Sequence, residues 1–309
     1  MNKTRTFIFL FFLTYAVTGW AQQLPLYTML EQVRPALNPA YAGDEEISDL
    51  VLLSRQQWVG FEGAPVSYYL AGHAPLRNHQ SGLGFDFQRM NSGPFTQNGL
   101  FLSYSYTVNI SERSTIAFGL RGGFNSYRIL YSQLNVLEPG DPLFETDLNH
   151  RVFPNCGTGV HFTYADYFLD FSIPLLLRNE FSPGKDQKEG LDNREDRTFY
   201  LLSGYSLNLA KGISLHPSFG LWWMAGAPPL MDLRIFAKVK ESLGLGMAYR
   251  VSGAFSAYLT YRIIDRFTLG YAYELPLSYD YRLTSATHEV VLGIDFDFLK
   301  SKTLSPRGF

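Results

Sequence analysis

The sequence predicts an all-β protein, a transmembrane antiparallel up-and-down β barrel of about 14 strands. Three observations predict it. Between positions 49 and 298, segments of about ten residues alternate apolar and polar side chains, the period of an extended strand with two unlike faces. Charged residues make up only 17% of the 309-residue chain while Phe and Tyr number 25 and 20, a composition suited to strands that meet lipid. The connections between the alternating segments are short at one end of the strands, and the long ones all fall at the other end. A soluble β sandwich also alternates, but its outer face is rich in Lys, Glu and Asp. Here the polar face is sparse and often Gly or Ser, and the apolar face is loaded with Phe and Tyr.

The elements follow in order. Residues 1–21 read as a signal peptide: Lys3 and Arg5 supply the charge, Phe7 to Val17 the apolar stretch, and Gly19 and Ala21 the small residues before a cleavage at Gln22. The apolar stretch is too short for a transmembrane helix, which needs about 20 residues. Residues 22–48 lack alternation and carry Pro25, Pro35 and Pro39 around the run Leu37-Asn38-Pro39-Ala40-Tyr41-Ala42-Gly43, whose Asn-Pro and trailing Gly favour turns. Two readings stay open for it: a periplasmic lead-in to the first strand, or a segment folded into the lumen.

Strands are expected at 49–58, 65–74, 81–90, 97–109, 114–125, 156–164, 166–173, 198–209, 212–224, 230–240, 242–251, 254–263, 266–275 and 287–298, followed by a tail at 299–309. In the last strand Val290, Leu292 and Ile294 alternate with Glu289, Gly293 and Asp295; in the third, Leu83, Phe85 and Phe87 alternate with Gly84, Asp86 and Gln88. If both termini are periplasmic, the connections after even-numbered strands must be the short ones. They read 75–80, 110–113, Ala165, 210–211, Glu241 and 264–265, and the long connections 126–155, 174–197 and 276–286 all follow odd-numbered strands. Miscounting one strand in mid-chain would break this parity.

The inward alternation collects Asp86, Arg121, Asp232, Arg234, Lys238, Arg250, Arg262, Glu274, Glu289, Asp295 and Asp297. The two signs nearly balance, which fits a charge-paired interior better than a selective pore, where one sign dominates. A net charge of −2 gives no reason to expect nucleic acid. No residue is expected to be catalytic or to bind a metal or cofactor: none of the six histidines sits in a Ser–His or metal-ligand pattern. His161 reads as a member of an interior hydrogen-bond network, and His288 as interfacial. Cys156 has no second cysteine to pair with. Asp141, Glu145 and Asp147 in the loop 126–155 have carboxylates suited to a hard cation but spacing that fits no binding loop, so a solvated surface is expected. Phe144, Phe153 and Phe181 are loop aromatics that suit a docking surface.

In order along the chain, "LNPAYAG" (37–43), "RQQWVGFEGAP" (55–65), "HAPL" (73–76), "GLGF" with "SGPF" (82–95), "FGLRGGFNSYRI" (118–129) and "HEVVLGIDFDF" (288–298) resemble the PorP/SprF family of type IX secretion system outer-membrane proteins. The first two motifs are specific, and they single out Asn38, Pro39, Tyr41, Gly43, Arg55, Gln57, Trp58, Gly60, Gly63 and Pro65 as partner-binding or plug candidates. The resemblance implies an outer-membrane barrel of Bacteroidota, without enzymatic activity, serving the type IX machinery. Family members either belong to the core secretion assembly, beside a periplasmic peptidoglycan-binding lipoprotein, or support the export or surface anchoring of one large adhesin with a C-terminal sorting domain, often in gliding motility. The second role is the expectation here. The alternative from a different class is a passive porin or small-molecule transporter.

Overall fold

The computed structural model describes residues 26–43, 48–133, 147–180, 195–240, 242–251, 253–264, 266–277 and 285–296. Its strands are β1 (Ser48–Gln56), β2 (Val66–Pro75), β3 (Ser81–Ser92), β4 (Phe95–Ser111), β5 (Ser114–Ile129), β6 (Leu148–Tyr164), β7 (Tyr167–Ile173), β8 (Thr198–Tyr205), β9 (Leu207–Ala210), β10 (Ile213–Met224), β11 (Leu230–Val239), β12 (Leu243–Arg250), β13 (Ala254–Ile264), β14 (Phe267–Pro276) and β15 (Thr287–Phe296). β8 and β9 are two halves of one stave, and both pair with β10. The result is a closed 14-strand antiparallel barrel. Each stave pairs with its sequence neighbours, and β15 pairs with β1 to close the ring in a register that sets Leu52 opposite Leu292. Closure leaves no sheet edge to be satisfied in lipid. No helix among the described residues is long and apolar enough to cross a membrane.

The alternation reads directly onto the two faces. Val290 and Leu292 point outward and are exposed, while Thr287, Glu289 and Val291 between them are buried inside. The same holds around the ring, with Phe85, Leu102, Leu120, Leu233, Leu259 and Tyr271 on the outer face. An outer surface this apolar is stable only against hydrocarbon.

Three strands are longer than the alternation predicts. β4, β5 and β6 have 17, 16 and 17 residues, against the roughly 9–11 that cross a bilayer. Positions 126–129 and 148–155 are therefore strand, not loop. Past the hydrocarbon the outward face no longer has to be apolar, so Ser126 and Arg128 occupy it and the pattern fades. The inward face of this extension builds a small core of its own from Tyr127, Ile129, Tyr131 and Leu148, with Phe95 and Phe153 packed against it. Phe153, expected as a loop aromatic, is thus a strand residue packed beside Tyr127, with ring centroids 6.2 Å apart and the planes tilted by 51°. Asp147 accepts hydrogen bonds from the Ser132 amide and hydroxyl, both at 3.0 Å, and ties the base of the connection together. Phe144, Phe181, Asp141, Glu145 and the tail 299–309 lie outside the described residues.

Candidate functional site

The lumen is where the structure concentrates its polar chemistry, and it is occupied by the chain's own segment 26–43. A 3-10 turn (Leu30–Gln32), one α-helical turn (Arg34–Leu37) and a second 3-10 turn (Pro39–Tyr41) lead through it toward β1. Pro35 and Pro39 each begin a helical turn, where their missing N–H costs nothing. Asn38 separates the turns: its side-chain oxygen accepts from the Ala40 amide at 3.0 Å, an N-cap that stops one turn and starts the next. Thr28, Met29, Val33, Asn38, Ala40, Tyr41 and Ala42 are buried.

The segment is held mainly through its backbone. Two successive amides, of Thr28 and Met29, donate to the two oxygens of Glu289 at 2.6 and 3.0 Å. Two successive carbonyls, of Tyr27 and Thr28, accept from Arg234 at 3.2 and 2.8 Å. Further along, Arg121 donates to the Ala36 carbonyl at 2.5 Å, Ser172 to that of Leu37 at 2.7 Å, and Ser105 to that of Ala42. Asn38 donates to the Val160 carbonyl at 3.0 Å. These bonds satisfy main-chain groups that irregular backbone would otherwise bury unpaired.

The wall that receives the Asn38–Gly43 run is made of glycine. A Cβ on Gly82 would overlap the Ala42 carbonyl, one on Gly119 the Pro39–Ala40 peptide, and one on Gly159 the Asn38 side chain. Gly82, Gly119 and Gly159 lie on β3, β5 and β6, so three strands present bare backbone to one short run. Gly43 ends the run with φ +67°, and a Cβ there would lie 2.6 Å from the Gly82 Cα. Only glycine meets both demands.

Asp170 is the polar hub of this seat. It accepts from the Tyr41 hydroxyl at 2.6 Å and sits 2.6 Å from His161 Nδ1, while Asn38 Nδ2 approaches at 3.4 Å. The rings of Tyr41 and His161 pack at 4.5 Å, and the Arg34 guanidinium lies over Tyr41 at 5.3 Å and over Phe168 at 5.5 Å. His161 is therefore part of a luminal network with carboxylate and aromatic neighbours. Asp170 and Ser172 stand outside the sequence-based candidates because β7 is short and its alternation shows only one charge, and Arg34 does because it lies in the segment 22–48, which has no alternation to assign it a face.

A second network lines the far side. Arg55 bridges Glu274 at 2.7 Å and Glu289, and its side chain also donates to the Thr28 hydroxyl at 3.2 Å. Arg250 joins Glu274 at 3.1 Å to Asp232 at 3.0 Å, and Arg234 approaches Asp232 at 3.5 Å. Three guanidiniums face three carboxylates, and the Arg121–Asp86 pair, in which one guanidinium nitrogen meets both carboxylate oxygens at 3.0 Å, balances separately. Charges this buried are tolerable because each has an opposite partner. Arg55, one of the partner-binding or plug candidates, thus belongs to this network and touches the luminal segment at Thr28. Arg262 stands apart from it: its side chain is 43% exposed and pairs with Asp295 at 3.4 Å. The interior also holds apolar side chains: Val51, Leu53, Tyr69, Phe236 and Val291 point inward and close an apolar cluster around Met29 and Val33. The space left beside Tyr27, Gln97 and Arg121 is about 20 Å³, room for about one water.

The rest of the second motif lies at the long-loop end. The Gln57 amide donates to the Pro65 carbonyl at 2.9 Å, and the amide of Val59 to that of Ala286 at 3.0 Å. Trp58, Gly60 and Gly63 all have positive φ in this tight β1–β2 loop, which exposes Phe61. Beyond the plug on the same side, buried Glu195 accepts from Asn125 at 2.6 Å, Asn155 at 2.7 Å, Asn179 at 2.5 Å and the Tyr127 hydroxyl. These bonds fold the base of the 174–197 connection onto β5 and β6. No group of three or more metal-ligating side chains exists among the described residues.

Among solved structures, the chain resembles the outer membrane protein Omp33 of Acinetobacter baumannii, with a TM-score of 0.47 and 8% identity over 83% of this chain and 100% of that one. It also resembles a Pseudomonas aeruginosa FadL homologue, with a TM-score of 0.46 and 12% identity over 82% and 89%. The CymD monoaromatic hydrocarbon channel gives a TM-score of 0.49 and 10% identity over 85% and 91%. No curated protein sequence matches. The family model of the type IX secretion system membrane protein PorP/SprF matches residues 20–294, spanning the plug and almost the whole barrel. The chain therefore belongs to the PorP/SprF family and is an outer-membrane β barrel of type IX secretion.

Proposed function

We propose that this protein is a non-enzymatic partner of secretion, supporting the export or surface anchoring of a secreted protein, a large adhesin with a C-terminal sorting domain. The observation that carries the proposal is the filled lumen. A passive porin needs a continuous aqueous path. Here segment 26–43 crosses the interior, held through its own backbone by Glu289, Arg234, Arg121, Ser105 and Ser172. Balanced, mutually paired interior charges also fit a packed plug better than a selective channel. The working surfaces are then the two ends. The short-turn end, where the seat of Asn38–Gly43 lies, faces the periplasm with both termini, within reach of a peptidoglycan-binding lipoprotein and other type IX components. The long-loop end, with the Trp58–Gly63 loop, faces the exterior.

Pull-down of the tagged protein from outer membranes in mild detergent, with identification of what co-purifies, tests this. Recovery of a large sorting-domain protein is the expected result. Recovery of the barrel alone, together with a steady open-channel conductance of the purified protein in planar bilayers, would overturn it in favour of a passive porin.

A further inference from the structure

Two cations on the outer surface of the barrel have no anionic partner among the described residues. On the outward alternation of β3, the apolar run Leu83, Phe85 and Phe87 ends at Arg89; on that of β5, the run Phe118, Leu120 and Phe124 ends at Ser126 and Arg128. Register places them on one level band. Leu70, Phe87, Leu100 and Phe124 form one lateral row across β2–β5, and Tyr68, Arg89, Asn98 and Ser126 form the next row toward the long-loop end. Arg128 sits opposite Thr96, two residues from Asn98 on β4. Arg89 and Arg128 are thus two strands and about two residues apart, roughly 12 Å between their Cα atoms at ordinary strand spacing. Two arginine side chains at that separation can meet over Thr96 and Asn98, whose hydroxyl and amide add neutral donors.

Neither guanidinium has an ion-pair or hydrogen-bond partner among the described residues, and the Arg128 Nε is buried with no acceptor. They are also the only Lys or Arg side chains on the outward alternation of the described strands. The opposite arc carries aromatics at the same end instead: Tyr249, Phe255, Tyr273 and His288. A cation at the border of the hydrocarbon keeps its charge only where water or an anionic headgroup reaches it.

We infer that the β3–β5 arc is a binding site for the phosphate of an outer-leaflet glycolipid, with Arg89 and Arg128 clamping one phosphate and Thr96, Asn98 and Ser126 contributing hydrogen bonds. The inference rests on the reading that the long-loop end faces outward. Phosphate pairs strongly with guanidinium in fork geometry, and a water-poor headgroup zone strengthens the pair. The site fixes the rotation of the barrel relative to the lipid, and leaves the aromatic arc free of bound glycolipid.

The test uses the full mature protein in lipid nanodiscs, with diphosphorylated lipid A as probe, read by native mass spectrometry of retained lipid. Retention of lipid A is expected to fall roughly tenfold in the double variant Arg89→Gln/Arg128→Gln, while Arg113→Gln at the short-turn end leaves it unchanged. The wild type is expected to retain dephosphorylated lipid A and phosphatidylglycerol no better than the double variant retains lipid A. Equal retention of phosphorylated and dephosphorylated lipid A, or no loss in the double variant, overturns the inference. Orientation is read separately, by labelling Phe61→Cys in a Cys156→Ser background on intact cells with a membrane-impermeant maleimide. Labelling without a lipid effect refutes the lipid site alone; failure to label refutes the orientation beneath it.

Discussion

Gly119→Ala and Gly122→Ala on β5 separate the seat of the plug from the strand that carries it. Both replace a strand glycine, so both gain the same backbone entropy, about 0.5–1 kcal/mol. They differ in what the new methyl group meets. At Gly122 there is nothing within 4 Å. At Gly119 the methyl would overlap the Pro39–Ala40 peptide and come within 2.6 Å of the Ala40 Cα. Every atom it strikes is backbone, so no rotamer change relieves it. The plug is pinned on both sides of the clash, by Asn38 to the Val160 carbonyl at 3.0 Å and by the Ala42 carbonyl to Ser105. Overpacking of this kind costs about 1–3 kcal/mol, and that is the expected difference between the two variants. It is measured as a shift in the urea midpoint of the barrel in detergent, followed by tryptophan fluorescence. If the plug leaves its seat to escape the clash, Gly119→Ala also conducts ions in planar bilayers while Gly122→Ala stays silent. Equal midpoints with two silent variants would refute the seat.

Glu289→Gln strips the charge that answers Arg55 and weakens the clamp on the Thr28 and Met29 amides; loss of one partner from a buried pair costs about 3–5 kcal/mol, and Glu289→Gln combined with Arg55→Met should recover much of it in the same unfolding measurement. Leu292→Arg places a charge on the lipid face of β15 at a cost of roughly 2–4 kcal/mol near mid-bilayer, whereas Gly293→Ser points inward with its nearest atom 3.4 Å away and should assemble nearly normally; equal assembly yields, read by heat-modified gel mobility, would contradict the faces. Tyr41→Phe and Asp170→Ala remove the donor and the acceptor of one hydrogen bond, so their double-mutant cycle should show a coupling of about 1–2 kcal/mol, and a coupling near zero would mean the contact is not made. Glu195→Ala leaves Asn125, Asn155 and Asn179 without their shared acceptor, at about 1–3 kcal/mol, and is expected to make the 174–180 segment cleavable by added protease; an unchanged cleavage pattern would argue against Glu195 as the tie.

The barrel was legible because one rule governs every strand. Lipid demands an apolar side chain at each outward position, so Leu83, Phe85 and Phe87 or Val290 and Leu292 spell their face in the sequence. The rule lapses where lipid stops. That is why the long-loop-end extensions of β5 and β6 read as loop, and why Phe153 reads as a loop aromatic. Inside the barrel no such rule applies. Val51, Leu53 and Val291 alternate correctly yet pack against Met29 and Val33, which lie in the non-alternating segment before the first predicted strand. The run Leu37–Gly43 stood out as a motif, but its meaning depends on Gly82, Gly119 and Gly159, each of which reads locally as ordinary strand glycine.

The sequence by itself determined the strands, their faces, the parity of the loops and the family, because each follows from a local period or a contiguous motif. Tertiary structure alone decided what fills the lumen. Which carboxylate meets which guanidinium, and whether residues 26–43 lie inside or outside, turn on closure of β15 against β1, which brings Glu289 to Arg55 across 234 residues of chain. A closed ring sets long-range neighbours by geometry, and geometry of that range leaves no periodic mark on the sequence.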